Sequence, residues 1–171
     1  LLSEIQFHLN IDKFDYEIII VDDNSNDLNS EDLVKLRSFK NTIVINNEKN
    51  LGQSMSIYKG ISSSIHSIIV TLDGDGQNNP SDIIKLIEFY SKNNYKLVGG
   101  IRSKRKDSLI KIVSSKVANK IRELILNDDC TDTGCSLKVF DKKAFLEFPF
   151  FDSIHRFLPA LFKGYGHKTF F

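Results

Sequence analysis

Ser67-Ile68-Ile69-Val70-Thr71-Leu72-Asp73-Gly74-Asp75-Gly76-Gln77 is a short apolar run that stops abruptly at acidic residues and glycines. The Ile, Val and Thr of its first half predict a buried strand. Gly74 and Gly76, on either side of Asp75, let the backbone turn tightly and approach a ligand closely at the strand's carboxyl end. Tyr16 to Val21 (YEIIIV), Thr42 to Ile45 (TIVI) and Lys96 to Val98 are runs of the same kind. Helical patterns lie between them. One opens at Ser30-Glu31-Asp32-Leu33, with Leu33, Leu36 and Phe39 at helical spacing. A second covers Met55 to Ile65. A third starts at Asn79-Pro80-Ser81-Asp82 and carries the stripe Ile83, Leu86, Ile87, Tyr90. This βαβαβα alternation predicts an α/β fold with a mostly parallel central sheet, helices on both faces and ligand sites at the carboxyl ends of the strands.

The rest of the composition narrows the function. The chain has 171 residues, with 23 Lys+Arg against 22 Asp+Glu and a formal net charge of +1. That balance argues against a nucleic-acid partner recruited by bulk charge. A hydrophobic fraction of 41% and a charged fraction of 26% fit one globular domain over residues 1–171. Cys130 and Cys135 are too few for a disulfide scaffold, and their spacing fits neither a CxxC pair nor a zinc knuckle, so they read as reduced thiols. The longest apolar runs, such as Ile18 to Val21, fall far short of the ~20 residues of a membrane-spanning helix. The opening Leu1-Leu2-Ser3-Glu4 shows no basic segment ahead of an apolar one, so no signal peptide is read there, and the chain reads as a fragment. After Gly99-Gly100 a basic stretch begins at Arg102 and continues into an expected helix from Ser108 to Leu126. A strand over Cys135 to Phe140 and an aromatic-rich tail complete the chain.

Asp22-Asp23 and Asp73-Gly74-Asp75 each end a strand, so the topology rule brings both to one rim of the sheet. Asp73, Asp75 and Gln77 offer hard oxygen ligands of the kind Mg2+ or Mn2+ takes while sharing its remaining positions with substrate phosphates. The plainer alternative is a solvated turn. Gly52, in Asn50-Leu51-Gly52, either supplies a positive φ or lets backbone N–H groups meet a diphosphate at a helix start. Asp132-Thr133-Gly134-Cys135 is a cap or turn when taken alone, and His155-Arg156 an exposed pair on an amphipathic helix. Arg102 and Arg105 follow a strand end at the ligand rim, where guanidinium groups suit phosphate. Lys116, Lys120 and Arg122 read as a solvated helix face.

Taken in order, IIIVDDNSND, NLGQSMSIYKG, VTLDGDGQNNPSD, GGIRSKRKDS, SSKVANKI, DTGCSLKVF and HRFLPAL resemble family 2 glycosyltransferases, most of all the polyprenyl-phosphate branch of dolichyl-phosphate mannose synthase type. The match runs from about Glu17 to Gly164. The resemblance implies a GT-A fold, here lacking its first strand, a nucleotide-sugar donor carrying UDP or GDP, and Mg2+ or Mn2+. It implies that Asp22 and Asp23 contact the nucleoside and that Asp73, Asp75 and Gln77 serve metal and diphosphate. Arg102 and Arg105 fall on a loop associated with acceptor and donor phosphates, Asp132 beside the transfer site, and His155 with Arg156 on the HRF string. The family's usual P-x-x-N-E-like start is absent, and relatives continue beyond the position of Phe171.

The expected reaction is inverting transfer of a sugar from a nucleoside diphosphate to a lipid-linked phosphate at the cytoplasmic face of a membrane. Asp75, Asp132, Arg102 and Arg105 are the expected catalytic residues. A saccharide hydroxyl is the alternative acceptor, with Asp132 as its general base. Two readings of another class are a non-catalytic remnant and a signalling receiver domain. The receiver fails on the distance from Asp22 to Asp73 and on the missing Lys-Pro after a later strand.

Overall fold

The structure is a computed structural model and describes residues 1–11, 14–102, 130 and 132–171. Arg105 and the expected helix from Ser108 to Leu126 lie outside the described residues. The elements in chain order are α1 (Leu2–Ile11), β1 (Ile18–Asp22), α2 (Ser30–Arg37), β2 (Thr42–Asn46), α3 (Gln53–Ser63), β3 (Ile68–Thr71), α4 (Ser81–Lys92), β4 (Leu97–Gly99), β5 (Lys138–Asp141), α5 (Lys142–Leu146), α6 (Ile154–Gly164) and β6 (Thr169–Phe170).

The strands fall into a parallel pair, β1 with β2, and a four-stranded sheet in the order β3-β5-β4-β6. In the larger sheet β6 pairs parallel to β4, and β5 lies antiparallel to both β3 and β4. Within each sheet, therefore, every strand but β5 runs the same way, which is the mostly parallel arrangement expected. The reversal of β5 has a consequence for the rim. It places the start of β5 at the rim where β3 and β4 end, because Lys138 pairs with Thr71 on one side and Gly99 on the other. Residues 132–137, just before β5, thus share a rim with Asp73 and Gly100.

Strand alternation sends neighbouring residues to opposite faces. Ile69, Phe140 and Leu97 stand side by side in register and pack on one face against Ile61 of α3, Ala144 and Phe145 of α5, and Ile154, Leu158 and Phe162 of α6. Val70 lies on the other face, in a second cluster with Leu72, Leu137, Ile5 and Leu9 of α1, and Ile83 of α4. Helices cover both faces as expected. Phe140, Phe145 and Phe162 are fully buried, each stabilising the fold by ~1.5–3 kcal/mol. The larger cluster is strongly aromatic, with Phe140–Phe162 centroids at 5.9 Å and Phe148–Phe162 at 5.0 Å.

Local chemistry sets the ends of the helices. Asn29 caps α2 through a reciprocal capping box, its side chain accepting from Asp32 N and its own N–H donating to the Asp32 carboxylate. Pro80, with φ −58°, precedes α4. Cys130 and Cys135 are both buried thiols, not joined in a disulfide. Among the described residues no helix is long and apolar enough to cross a membrane.

Candidate active site

Asp23 leaves β1 where the chain turns sharply, with Asn24 at φ 60°. Its Oδ1 accepts from the N–H of Leu51 at 2.8 Å and its Oδ2 from the N–H of Gly52 at 2.8 Å. Asn47 Nδ2 donates to Oδ1 as well, at 2.8 Å. Asn47 is itself buried, donates to Ser56 Oγ at 3.0 Å and accepts from Lys59 Nζ at 2.8 Å. The Leu51 N–H bond foremost, with Asn47 and Gly52 in support, holds the Asp23 carboxyl below its ordinary value against the opposing effect of desolvation. Gly52 sits at φ 84°, a conformation that glycine adopts without strain. Its positive φ is thus observed, and its N–H is given to Asp23. Asp22 accepts from Ser25 N at 3.2 Å.

The next residue ties this hub to the second acidic turn. Gln53, the first residue of α3, donates from Nε2 to Asp73 Oδ1 at 3.1 Å. Gly52 and Gln53 thus bind Asp23 and Asp73 respectively, and the two acidic strand ends meet at the start of α3. Asp75 and Gln77 are exposed, and Asp75 Oδ1 accepts from Gln77 N at 3.0 Å. Ser136 fixes this turn from the other side: its Oγ accepts from Asp73 N at 3.1 Å and from Asn78 Nδ2 at 3.0 Å, and its carbonyl accepts from Thr71 Oγ1 at 2.7 Å.

Arg102 and Asp132 were expected to act separately, and the structure joins them. Asp132 is buried, and Arg102 donates to it in a fork, from Nε to Oδ2 at 3.0 Å and from Nη2 to Oδ1 at 2.9 Å, with the Arg102 backbone N–H adding a bond to Oδ2 at 3.2 Å. The guanidinium lies over Gly134, where an added Cβ would stand 2.6 Å from Nη2. A side chain at 134 would push the guanidinium aside, so glycine there leaves room for the Arg102–Asp132 fork. Both carboxylate oxygens of Asp132 face Arg102, which is a poor starting position for a base that must reach a substrate hydroxyl.

Two further groups line this side. Lys138 is buried and its ammonium curls back to the carbonyls of Cys135 and Thr133. Burial pushes its amine down, while the nearby Asp132 and Asp73 act the other way. His155, at the start of α6, shares a hydrogen bond of 2.9 Å between Nδ1 and Ser54 Oγ, which also accepts from Ser153 N at 2.8 Å. Burial and then the cations Arg156 and Lys138 push His155 below its ordinary value.

The glycosyl transferase family 2 profile matches residues 5–148. The chain belongs to that family. It is 32% identical over 156 residues to the undecaprenyl-phosphate 4-deoxy-4-formamido-L-arabinose transferase of Pectobacterium atrosepticum, a match covering 90% of this chain and 47% of the relative. It is 31% identical over 155 residues to the dodecaprenyl-phosphate galacturonate synthase of Rhizobium johnstonii, covering 87% of this chain and 45% of that one. The chain thus spans about half the length of these curated relatives. Membership implies the GT-A fold expected from the chain's motifs, and both relatives carry names of the polyprenyl-phosphate kind that those motifs resemble. The receiver reading falls with it.

The donor set suits a hard divalent cation. Asp73, Asp75 and Gln77 provide oxygen alone, on a turn accessible from solvent, as fits an ion held by one or two carboxylates and completed by substrate phosphates. Among the described residues no group of three or more His, Cys, Asp and Glu forms a closed cage. The residues expected from the motifs, Asp22, Asp23, Gly52, Asp73, Asp75, Gln77, Arg102 and Asp132, are all described and lie near this rim, whereas Arg105 lies outside the described residues. The motifs missed Asn47, Gln53, Ser54, Ser136 and Lys138. Of these Lys138 carried a signal, a lysine inside an otherwise apolar strand pattern.

Proposed function

We propose that this family 2 glycosyltransferase chain moves a sugar from a nucleoside-diphosphate donor to a polyprenyl-phosphate acceptor, with inversion, by in-line displacement at the anomeric carbon. The observation that carries this reading is the meeting of the Asp73–Gln77 turn and the forked Arg102–Asp132 pair on one rim. Opposite charges there suit a donor diphosphate and an acceptor phosphate. The relatives' names, undecaprenyl-phosphate 4-deoxy-4-formamido-L-arabinose transferase and dodecaprenyl-phosphate galacturonate synthase, support a polyprenyl-phosphate acceptor.

In this reading Asp73, Asp75 and Gln77 hold Mg2+ or Mn2+, which supplies Lewis-acid neutralisation of charge growing on the leaving diphosphate. Asp132 fixes the orientation of Arg102, and the guanidinium meets the acceptor phosphate. That phosphate is already an anion at pH 7, so it needs positioning more than deprotonation. A hydroxyl acceptor would need a base, and Asp132 is turned toward Arg102 instead. Asp23 shapes the nucleoside side by holding the start of α3, and Asp22, beside it, is the carboxylate assigned to the nucleoside. Work at a lipid acceptor places the chain at a membrane surface, on the cytoplasmic side where nucleotide sugars are available.

Calorimetric titration of UDP and GDP, each with and without Mn2+, tests this reading, with Asp75→Ala as the control. Metal-dependent binding of one nucleotide, lost in the control, is the expected result and names the donor class. Binding of neither nucleotide overturns the assignment for this chain and leaves a non-catalytic remnant of the family.

A further inference from the structure

The segment between α5 and α6 exposes consecutive apolar residues. Phe148 is buried in the larger cluster, and Pro149, Phe150 and Phe151 then run along the surface. Phe151, three residues before α6, and Phe157, on its first turn, have ring centroids 5.8 Å apart, and both are more than one-third exposed. Phe150 extends the patch onto Tyr58 of α3, with centroids at 5.2 Å. Arg156 is exposed beside Phe157 and has no ion-pair partner among the described residues. Singly exposed aromatics need no explanation, but a contiguous group of them with a cation at its edge does.

This patch is hydrogen-bonded to the rim. Ser153, between the two exposed phenylalanines, donates its N–H to Ser54 Oγ, and His155, next to Arg156, shares the same oxygen. Ser54 adjoins Gln53, whose amide holds Asp73. Two short steps therefore lead from an exposed aromatic surface to the acidic turn. A ligand with an anionic head and an apolar tail would meet a cation and aromatic rings in that order on its way out of the site.

We propose that Phe150, Phe151 and Phe157, with Arg156 at their edge, receive isoprenoid units of the acceptor beyond its first two, so that its phosphate lies toward the rim that carries Arg102 and its chain leaves over these rings. This rests on the polyprenyl-phosphate reading above and assigns a place to that lipid. The occupant is the acceptor's own chain, because Ser153 and His155 tie the patch through Ser54 to the start of α3, whose Gln53 holds Asp73.

Two measurements test it. In detergent micelles, the combined variant Phe151→Ser, Phe157→Ser is compared with the parent and with Phe7→Ser, an exposed aromatic on α1, using undecaprenyl phosphate and geranyl phosphate as acceptors. The paired variant should raise KM for undecaprenyl phosphate by about tenfold, the scale of losing apolar contact with a ring, and leave kcat and geranyl phosphate turnover as in the parent. An unchanged KM for the long acceptor overturns the proposal, as does an equal fall with both acceptors. The second measurement is independent of turnover. A diazirine-bearing polyprenyl phosphate should label residues 148–157, and the labelling should be displaced by undecaprenyl phosphate. Labelling elsewhere overturns the proposal. So does equal protection by phosphatidylglycerol vesicles without prenyl phosphate, which would make the patch a bilayer contact. If no sugar is transferred but the label falls on 148–157, the catalytic reading fails and this assignment stands.

Discussion

The chain carries two acidic pairs at two strand ends, and they do opposite things with their carboxylates. At the end of β1, Asp23 turns both oxygens inward, to Leu51, Gly52 and Asn47. At the end of β3, Asp75 is exposed and, among the described residues, takes only the N–H of Gln77, two residues on. The difference comes from what stands opposite each strand end. Asp23 faces the start of α3 with its backbone N–H groups, whereas Asp75 lies on a glycine-flanked turn facing solvent. A carboxylate satisfied by its own backbone builds the site, and one left at the surface is available to bind.

The sharpest way to break this comparison is to remove charge at each end. Asp75→Asn should lower sugar transfer by roughly a hundredfold or more, the scale of removing one group that stabilises developing charge, while leaving the melting temperature unchanged. Turnover and thermal unfolding measured on the same preparation check both halves. Normal transfer by Asp75→Asn would show that the exposed turn is only a turn.

The Arg102–Asp132 pair is the next largest effect, now on stability. Arg102→Met takes the two guanidinium donors away from the buried Asp132 carboxylate, keeping the backbone N–H of residue 102, and should cost ~2–3 kcal/mol, toward the low side of buried pairs because Arg102 is 30% exposed. Unfolding should shift down by about 5–10 °C for a domain of this size. Adding Asp132→Leu to Arg102→Met should recover much of that loss, since the stranded charge is then gone. A double variant no more stable than the single one would locate the effect elsewhere.

How much of this could be read beforehand follows the range of the interactions. The strands ending at Asp22 and Asp73 announce themselves because buried parallel strands are apolar throughout, and that signal is local. The start of α4 at Asn79-Pro80 is local too. The antiparallel course of β5 is not, because strand direction is decided by the neighbours it slots between, here Thr71 and Gly99. Helix α1 gave little signal because, among its described side chains, only Ile5 and Leu9 are buried, a weak stripe. In the site, Asp73 and Asp75 were legible as a dense motif on one turn. The use of Asp23 was not, since its partners lie 24 to 29 residues away, and neither was the bonding of Arg102 to Asp132 across 30 residues. Residue types disclosed that a charged rim existed, and only folding paired its members.

The inward carboxylate gives the smaller effects, and they sharpen the contrast. Asp23→Asn keeps the shape but offers one oxygen where two were used and turns an amide N–H toward backbone donors. It should cost ~1–2 kcal/mol of stability at neutral pH. Its pH dependence separates charge from shape. The folded carboxyl lies below its unfolded value of 3.8, so its contribution is fully present above that value and is lost as pH falls through the lower, folded one. The parent should therefore be more stable than Asp23→Asn by a constant margin above roughly pH 5, and the margin should shrink as the solution is acidified below 3.8. Melting curves of both proteins across that range decide it. A margin that stays constant through acid would mean that Asp23 holds Leu51 and Gly52 by shape alone, and the inward pair would then owe nothing to its charge.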